Sequence, residues 1–189
     1  MNAPALYRRR MALDHAILVS LTERAASGYD LARRFDASIG YFWPASHQQI
    51  YRVLARMQEA GWVESTVQEQ DGRPDKKTYA ITDAGLAELD RWAAQPTGRE
   101  AIRSDFAVKL RGFRDAESIV RDTRARRADH VERLAAYEAS EVRFYPDPSA
   151  LEGAELGSWL ALRGGISTER RGIEWCDEIL TALEGRGSR

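Results

Sequence analysis

The sequence has little cysteine and little histidine, and these shortages exclude several kinds of functional site. Cys176 is the only cysteine among 189 residues, so an internal disulfide and a zinc site built from thiolates are both excluded. A lone thiol also indicates a reducing compartment. The three histidines lie far apart, and no Ser/His/Asp arrangement, metal-ligand spacing or cofactor fingerprint accompanies them. We therefore predict a protein that is not an enzyme and that uses no metal or cofactor.

The sequence also lacks a long apolar run. A membrane-spanning helix needs about 18 or more consecutive apolar residues, and no segment approaches that length. Arg8-Arg9-Arg10 and the mostly apolar stretch 11–21 have the order of a signal peptide, but Asp14 and His15 interrupt the stretch. With 43% hydrophobic and 30% charged residues, the composition is typical of a soluble globular protein. We predict a cytoplasmic protein without a membrane partner.

Neither sign of charge is in excess. The net charge is −1, and residues 1–95 contain 12 Lys and Arg against 12 Asp and Glu. Many proteins that bind nucleic acid are basic, so this balance counts against such a function. Any affinity for nucleic acid must therefore come from the local placement of arginine and lysine side chains, and not from bulk charge.

Residues 46–81 predict a helix followed by two strands. Ser46 and Gln49 have the spacing of a capping box, which starts a helix, and Gly61 can end it. Segments 62–68 and 78–81 are rich in β-branched and aromatic residues, and the turn between them contains Gly and Pro. This order is typical of a recognition helix followed by a β-wing. The helix has one apolar face, formed by Ile50, Val53, Leu54 and Met57.

The opposite face of this helix has residue types that contact DNA. Gln48 and Arg52 lie on it, and Gln and Arg side chains form bidentate pairs with adenine and guanine. The small Ala55 would let the helix approach the floor of the groove, and basic residues of the wing would contact phosphates. A solvated helix followed by a charged hairpin would have the same pattern. The predicted DNA-binding residues are Ser46, His47, Gln48, Gln49, Tyr51, Arg52, Arg56, Arg73, Lys76 and Lys77.

Three segments of the first half carry a more specific signal. They are 26–31 (ASGYDL), 42–54 (FWPASHQQIYRVL) and 72–85 (GRPDKKTYAITDAG). Their order and spacing resemble those of the PadR family of bacterial transcriptional regulators. Tyr29, in the first segment, is expected to pack in the core. The resemblance is close over roughly the first half of the chain and looser over the second.

The resemblance implies a winged helix-turn-helix DNA-binding domain at residues 11–95. Members of the family often begin near the position of Met11, so residues 1–10 are expected to be a flexible basic extension. Residues 96–189 are similar to the α-helical dimerisation domain of the longer members, and Gln95-Pro96-Thr97-Gly98 marks the boundary. The implied fold is mainly α-helical with a small two-stranded β-wing.

The resemblance also implies a function. Family members are usually homodimeric repressors that release a palindromic double-stranded DNA operator on binding a small molecule, such as a phenolic acid or a hydrophobic drug. The residues themselves select neither the operator nor the ligand, and both repression and activation stay open. A winged helix can also be a protein-interaction module that reads no DNA, and the neutral charge balance permits this alternative.

The second half is predicted to contain long helices. One starts at Asp115 or Ser118 and continues to about Val142, and another follows a capping box formed by Ser149 and Glu152. Apolar residues along the first of these helices are sparse and favour packing against a partner helix. We therefore expect a homodimer held mainly by these helices.

Several polar residues are predicted to be solvated and without a special role. They are His15, His130 and the arginine cluster within 124–127. Aromatic residues suggest a site for a flat hydrophobic effector, although large aromatics are usually core or interface anchors. The predicted effector-binding residues are Trp92, Phe106, Trp159 and Trp175.

Overall fold

The computed structural model describes residues 5–37, 45–68, 76–98 and 104–184. Within these residues the chain is mostly helical, with seven α-helices and one small antiparallel sheet. This arrangement confirms the predicted fold class. None of the described helices is both long enough and apolar enough to cross a membrane.

The chain divides into two compact units, residues 1–99 and 100–189, and the predicted boundary after Gln95 lies close to this division. The first helix begins at Ala5, so part of the segment predicted to be a flexible extension continues the helix. The elements of the first unit are α1 (Ala5–Glu23), β1 (Ala26–Ser27), α2 (Gly28–Ala37), α3 (His47–Glu59), β2 (Val63–Gln68), β3 (Lys76–Ile81) and α4 (Asp83–Ala93).

The sheet has one strand more than predicted. Its order is β1-β3-β2, and both strand pairs are antiparallel. The predicted wing strands β2 and β3 pair from Val63 opposite Ile81 to Gln68 opposite Lys76. The additional strand β1 contains only two residues, too few to show a periodic pattern in the sequence. The predicted turn at 70–75 lies outside the described residues.

The core of the first unit is built from apolar faces of α1, α2, α3 and the sheet. The face of α3 that was predicted to be apolar is buried, as expected for a helix with this spacing. Gly61 follows the helix with φ of +75°, a conformation that glycine adopts at little cost. The buried residues are Leu13, Ile17, Leu18, Leu21, Ala26, Leu31, Ala32, Ile50, Val53, Leu54, Met57, Val63 and Tyr79.

Two consecutive polar residues of α1 are buried, and this corrects the prediction that His15 is solvated. His15 has no exposed surface, its ring stacks on that of Trp92 with centroids 4.5 Å apart, and its Nε2 lies 2.9 Å from the Glu88 carboxylate. The neighbouring Asp14 is also buried. Both α3 and α4 pack on α1, so residues that lie off its apolar stripe are covered as well.

The second unit is described as three α-helices and one short 3-10 helix. Its elements are α5 (Asp105–Arg111), α6 (Ala116–Phe144), the 3-10 helix (Pro148–Ala150) and α7 (Gly153–Glu184). Asp115 caps α6 through two backbone N–H groups, as one of the two predicted starts requires.

The predicted capping box at Ser149 and Glu152 is wrong. Asp147 instead caps the 3-10 helix by accepting from the backbone N–H of Ser149, and α7 begins at Gly153 with φ of +52°. Asp147 accepts from the Ser149 backbone N–H, which the Glu152 side chain would accept from in a capping box. Short polar side chains readily form such hydrogen bonds in turns.

Helices α6 and α7 pack along each other, with two small apolar clusters at their contact. One cluster contains Phe106, Ile119 and Ile179, and the other contains Tyr137, Leu162 and Ile166. Several large apolar residues of this unit stay exposed to solvent. They are Val108, Phe113, Val131, Val142, Phe144, Leu160 and Trp175.

Ion pairs also connect α6 to α7, and they involve two arginines of the cluster that was predicted to be solvated. Arg127 lies 2.5 Å from Asp177, and Arg124 lies 2.7 Å from Glu184. The Arg127 guanidinium lowers the pKa of the Asp177 carboxyl. Helix α6 alone gives no indication of these contacts, because each partner lies on the other helix.

His130 is not an isolated surface residue either. Its Nδ1 lies 2.5 Å from the carboxylate of buried Glu169, and Arg133 lies 3.2 Å from the same carboxylate. The His130 ring packs on Gly172, where a Cβ atom would lie 2.6 Å from the ring. The Glu169 carboxylate is therefore contacted by two side chains of α6, and Arg133 supplies a positive charge beside it.

Candidate nucleic-acid interface

The start of α3 is held by the predicted capping box. The Gln49 backbone N–H donates to Ser46 Oγ at 3.3 Å, and the Ser46 backbone N–H donates to Gln49 Oε1 at 2.8 Å. The Ser46 hydroxyl and the Gln49 carbonyl oxygen therefore serve the helix end, while the Gln49 amide N–H groups stay available as donors. These contacts define the angle at which α3 leaves the preceding segment.

Gln48 and Arg52 form the outer face of α3. Both side chains are exposed, and because they are four residues apart they are neighbours on the helix surface. Within the described part of the chain, neither side chain makes a hydrogen bond or an ion pair. Ala55, one turn further along, is exposed and small. This face therefore presents unengaged amide and guanidinium groups on a helix whose other side is buried.

Aromatic side chains border the N-terminal half of α3. Tyr51 packs over Gly28 at the start of α2 so closely that a Cβ atom at Gly28 would lie 2.2 Å from Tyr51 Cε1. Tyr29 is 56% exposed, so its expected place in the core is wrong. Its ring meets that of His47 edge to face, with centroids 6.4 Å apart. The starts of α2 and α3 thus form one surface, and only glycine fits at their closest approach.

Arg56 points away from this surface. Its Nη2 donates a hydrogen bond to Oδ1 of buried Asp14 in α1. The Arg56 side chain is 42% exposed, whereas the Asp14 side chain is only 8% exposed. A buried carboxylate without a cation is costly, so this pairing keeps Arg56 against α1. The side chain predicted to contact DNA instead holds α3 on α1.

The two wing lysines point in different directions, because successive residues of a strand alternate between its faces. Lys76 Nζ lies 3.3 Å from Asp30 Oδ2 near the start of α2. Lys77 Nζ donates to Gln58 Oε1 at 3.1 Å and lies 5.1 Å from the centre of the Tyr79 ring. Lys76 is therefore beside the surface formed by α2 and α3, and Lys77 lies over the C-terminal half of α3. Arg73 lies outside the described residues.

Asp30 connects the start of α2 to the wing. Its carboxylate accepts a hydrogen bond from the Ser27 hydroxyl at 2.7 Å, and its backbone N–H donates to that hydroxyl at 3.1 Å. The hydrogen bond from Ser27 lowers the pKa of the Asp30 carboxyl, and the nearby Lys76 ammonium lowers it further. Asp30 is therefore ionised at neutral pH and holds Lys76 beside α2.

An open groove next to this surface was missed from the sequence. It has a volume of about 500 Å³, and it is lined by Arg24, Ala25, Ala26, Asp30, Arg33 and Arg34. The only sequence signal is that arginines flank the ASGYDL segment on both sides. They converge because β1 and α2 follow α1 after a short connection.

Two of the predicted effector residues, Trp159 and Trp175, lie far apart on one helix. Trp159 and Trp175 are both in α7, and at 1.5 Å per residue they lie about 24 Å apart along it. Trp159 Nε1 donates to Glu141 at 2.9 Å, and Trp92 belongs to the first unit, where it stacks on His15. One small molecule therefore cannot contact both Trp159 and Trp175 of one chain.

Phe106 and Trp175 are brought together. Their rings meet edge to face with centroids 5.5 Å apart, and the Arg126 guanidinium lies 4.4 Å from the centre of the Phe106 ring. Phe106 is buried, whereas Trp175 is 37% exposed. The adjacent Cys176 is buried, and burial raises the pKa of its thiol, which disfavours the thiolate. No group of three or more His, Cys, Asp or Glu residues in the described ranges could hold a metal ion.

Two family models match the chain, one in each unit. The model of the transcriptional regulator PadR-like family matches residues 17–91, which contain α2, α3, the wing and most of α1 and α4. The model described as virulence activator alpha C-term matches residues 102–184, which contain α5 to α7.

Similar proteins from three bacteria span nearly the whole chain. A probable transcriptional regulator of Mycobacterium tuberculosis is 52% identical over 92% of this chain and 98% of its own length. The structure of the Vibrio cholerae virulence activator AphA is 36% identical, with a TM-score of 0.75, and the match covers 92% of this chain and 99% of that one.

The third relative is the negative transcriptional regulator PadR of Bacillus subtilis. It is 27% identical over 91% of this chain and 97% of its own length. Its structure in complex with operator DNA has a TM-score of 0.79 at 24% identity, and the match covers 91% of this chain and 99% of that one. These relatives carry the names of regulators and not of enzymes. The chain therefore belongs to the PadR-like family of transcriptional regulators.

Proposed function

We propose that this regulator binds a palindromic double-stranded DNA operator as a homodimer, through α3 and the wing, and represses transcription until a small aromatic effector binds. The observation that carries the DNA-binding part is the outer face of α3. There Gln48 and Arg52 stand exposed and unengaged within the described residues, on a capped helix beside a wing. A protein of this kind acts in the compartment that holds the chromosome, so we place it in the cytoplasm.

The roles of the predicted contact residues differ. Gln48 and Arg52 read base edges, since bidentate contacts from Gln and Arg distinguish adenine and guanine. His47, Tyr51 and the amide N–H groups of Gln49 border the same surface and contact the backbone. Ser46 acts through the capping box and Arg56 through Asp14, so both orient α3. Lys76, with Arg73, contacts phosphates, whereas Lys77 supports α3 through Gln58.

The homodimer is supported by the exposed apolar residues of the second unit. Large side chains such as Val142, Phe144 and Leu160 are between 55% and 77% exposed in the single chain. A monomer has little reason to expose so many large apolar groups, and a second copy would cover them. A two-fold axis would then present two copies of α3 to half-sites about 34–36 Å apart.

Repression and response to an effector are supported by what has been found for Bacillus subtilis PadR. That protein is named a negative regulator, and it has been solved in complex with p-coumaric acid. In this chain, Phe106 and Trp175 offer ring faces and edges, and Arg126 offers a cation for a carboxylate. We propose this cluster as the place where a flat aromatic acid binds.

The DNA-binding part is tested by operator selection followed by titration. The pure protein is used to select duplexes from a random pool, and affinity for the selected duplex is measured at several salt concentrations. Arg52→Ala is expected to weaken specific binding by about 1–3 kcal/mol, because it removes a bidentate base contact. Wild-type protein that selects no sequence, and whose affinity for duplex DNA does not fall with salt, would overturn the proposal.

The effector part is tested by fluorescence. A flat aromatic acid bound at the cluster is expected to quench tryptophan emission and to lower operator affinity over the same concentration range. Trp175→Leu should remove the quenching, while Trp159→Leu, its matched control on the same helix, should keep it. Quenching that depends on Trp159 and not on Trp175 would exclude this cluster.

A protein-interaction module is the second candidate, and one observation favours it. The first 95 residues carry equal numbers of basic and acidic residues, so the first unit lacks the positive excess of many DNA-binding domains. The two functions differ in the salt dependence of binding to duplexes, because each neutralised phosphate adds about 0.9 to the slope of log affinity against log salt.

A further inference from the structure

The groove lined by Arg24, Arg33 and Arg34 has no part in the function proposed so far. It lies at the connection between α1 and β1 and along one side of α2, and it includes no residue of α3. Among the described residues that line it, Asp30 is the one acidic side chain. Glu23 is close enough to affect Arg34, but it does not line the groove. The groove is thus a concentration of positive charge in a unit whose total charge is balanced.

Arg34 is built into the wall of the groove. Its Nη1 donates to the backbone carbonyl of Ser20 at 3.0 Å, and a second hydrogen bond reaches the carbonyl of Arg24 at 3.4 Å. The pKa of the Arg34 guanidinium is lowered, first by burial and then by the positive charge of Arg24. An anion in the groove would relieve this repulsion.

Arg24 and Arg33 are the accessible members of the group. Both are exposed, and within the described residues neither forms an ion pair. Arg24 and Arg33 lie beside the partly buried Arg34, which Arg24 repels, and neither has a carboxylate partner among the described residues, so they suit an external anion. The planar guanidinium forms two parallel hydrogen bonds with a phosphate, and for this reason arginine is favoured at such sites.

The groove is continuous with the proposed DNA interface. Asp30 lines the groove and also pairs with Lys76, the first residue of wing strand β3. Tyr29, the residue before it, meets the ring of His47 at the start of α3. A backbone that passes Lys76 would therefore continue towards Arg33 and Arg24. Duplex DNA supplies charges in such a continuous row, about one per 1.7 Å of helix axis.

We propose that Arg24, Arg33 and Arg34 form a second phosphate-binding surface, which contacts the DNA backbone outside the half-site read by α3. This inference rests on the proposed DNA-binding function and extends it, since it makes affinity depend on the DNA that flanks the operator. Phosphate contacts carry no sequence information directly, so the flanking sequence is free to vary.

The test compares two duplexes that contain the same selected operator. The short one ends at the outer edge of each half-site, and the long one extends ten further base pairs on both sides. The groove variant is Arg24→Gln/Arg33→Gln, which leaves the anchored Arg34 in place. The control is Arg111→Gln/Arg114→Gln, which removes the same charge from exposed positions of the second unit.

Wild-type protein and the control variant are expected to bind the long duplex more tightly than the short one. The groove variant should lose this advantage, and the salt slope of the dimer on the long duplex should become shallower by about 3.6, the value for four phosphates, two for each subunit. Its affinity for the short duplex should stay that of the wild type. Circular dichroism and the melting temperature establish that the variant is folded, and Arg33→Gln alone replaces it if it is not.

The inference would be overturned if the wild type bound both duplexes equally, or if the groove variant kept the advantage of the long duplex. In the second case, a simultaneous loss of binding to a poly-glutamate peptide would assign the groove to an acidic protein segment. Wild-type protein that binds neither duplex would instead refute the proposed function itself.

Discussion

The pairing of Arg56 with Asp14 leads to the sharpest prediction, because it separates a residue that holds α3 from one that reads DNA. Replacing Arg56 by Met removes the guanidinium that pairs with the Asp14 carboxylate, whose side chain is only 8% exposed. Removing one partner of a fully buried pair costs about 3–5 kcal/mol. Arg56 is 42% exposed and water screens the pair in part, so we expect about 2 kcal/mol here.

The measurement is urea or thermal unfolding followed by circular dichroism. The protein concentration is kept constant, because the unfolding midpoint of a dimer depends on it. For a chain of this size, about 2 kcal/mol corresponds to a fall of about 4–8 °C in melting temperature. The matched variant is Arg52→Met, which removes the same side chain from an exposed position one turn away. It should change stability by less than about 0.5 kcal/mol and should weaken specific DNA binding.

A second substitution identifies the cause. Asp14→Asn in the Arg56→Met background removes the uncompensated charge and should restore part of the lost stability, which a double-mutant cycle would measure as coupling. The interpretation would be refuted if Arg56→Met were as stable as the wild type and lost operator affinity as Arg52→Met does. Arg56 would then be a DNA contact, as the sequence suggested.

Three further predictions concern the same unit and its link to the rest of the chain. Gly28→Ala should destabilise the protein by about 1–3 kcal/mol, because the new methyl group overlaps the Tyr51 ring, and Tyr51→Ala in the same chain should recover part of that loss in an unfolding titration. Lys76→Gln should weaken binding to all duplexes alike and make the salt slope of the dimer shallower by about 1.8, the value for one phosphate in each subunit, whereas Lys77→Gln should leave that slope unchanged; the reverse result would exchange their roles. A chain that ends at Gln95 should sediment as a monomer and bind the operator far more weakly, and a dimer of full affinity would contradict the proposed interface in the second unit.

Most features that depend on a few neighbouring residues were predicted correctly from the sequence, and the capping box at Ser149 and Glu152 is the exception. The capping box of α3, its apolar face and the stop at Gly61 follow from spacing alone, and the structure has each of them. Asp115 was one of two predicted starts for α6, and it caps the helix by accepting from the backbone N–H groups of Glu117 and Ser118. Local hydrogen bonds and helical periodicity decide these features, and a sequence displays both directly.

Features that depend on a partner distant in sequence were missed. His15 lies off the apolar stripe of α1, and only the packing of α4 buries it against Trp92. Arg56 resembles an outward cation until Asp14, more than forty residues earlier, is seen beside it. Strand β1 exists because β3 pairs with it. Periodicity within one helix or strand contains no information about these contacts.

The position of Asp14 and His15 on α1 leads to a last prediction. Consecutive residues of a helix project about 100° apart, so these two buried polar groups connect α1 to two helices at once. Asp14 holds α3 through Arg56, and His15 holds α4 through Glu88 and Trp92. An apolar contact at either place would be as stable or more so, but it would constrain the angle between the helices less, because it is not directional.

We therefore expect Asp14→Leu/Arg56→Met to keep stability within about 1 kcal/mol of the wild type, since apolar residues can replace an ion pair without loss. The same variant should reduce the ratio of specific to non-specific DNA affinity, because α3 would no longer be held at one rotation on α1. Titrations of the selected operator and of a scrambled duplex at one salt concentration measure this ratio. An unchanged ratio in a variant of wild-type stability would show that the pair contributes nothing to DNA reading, and the orientation of α3 would then depend on its apolar face and capping box alone.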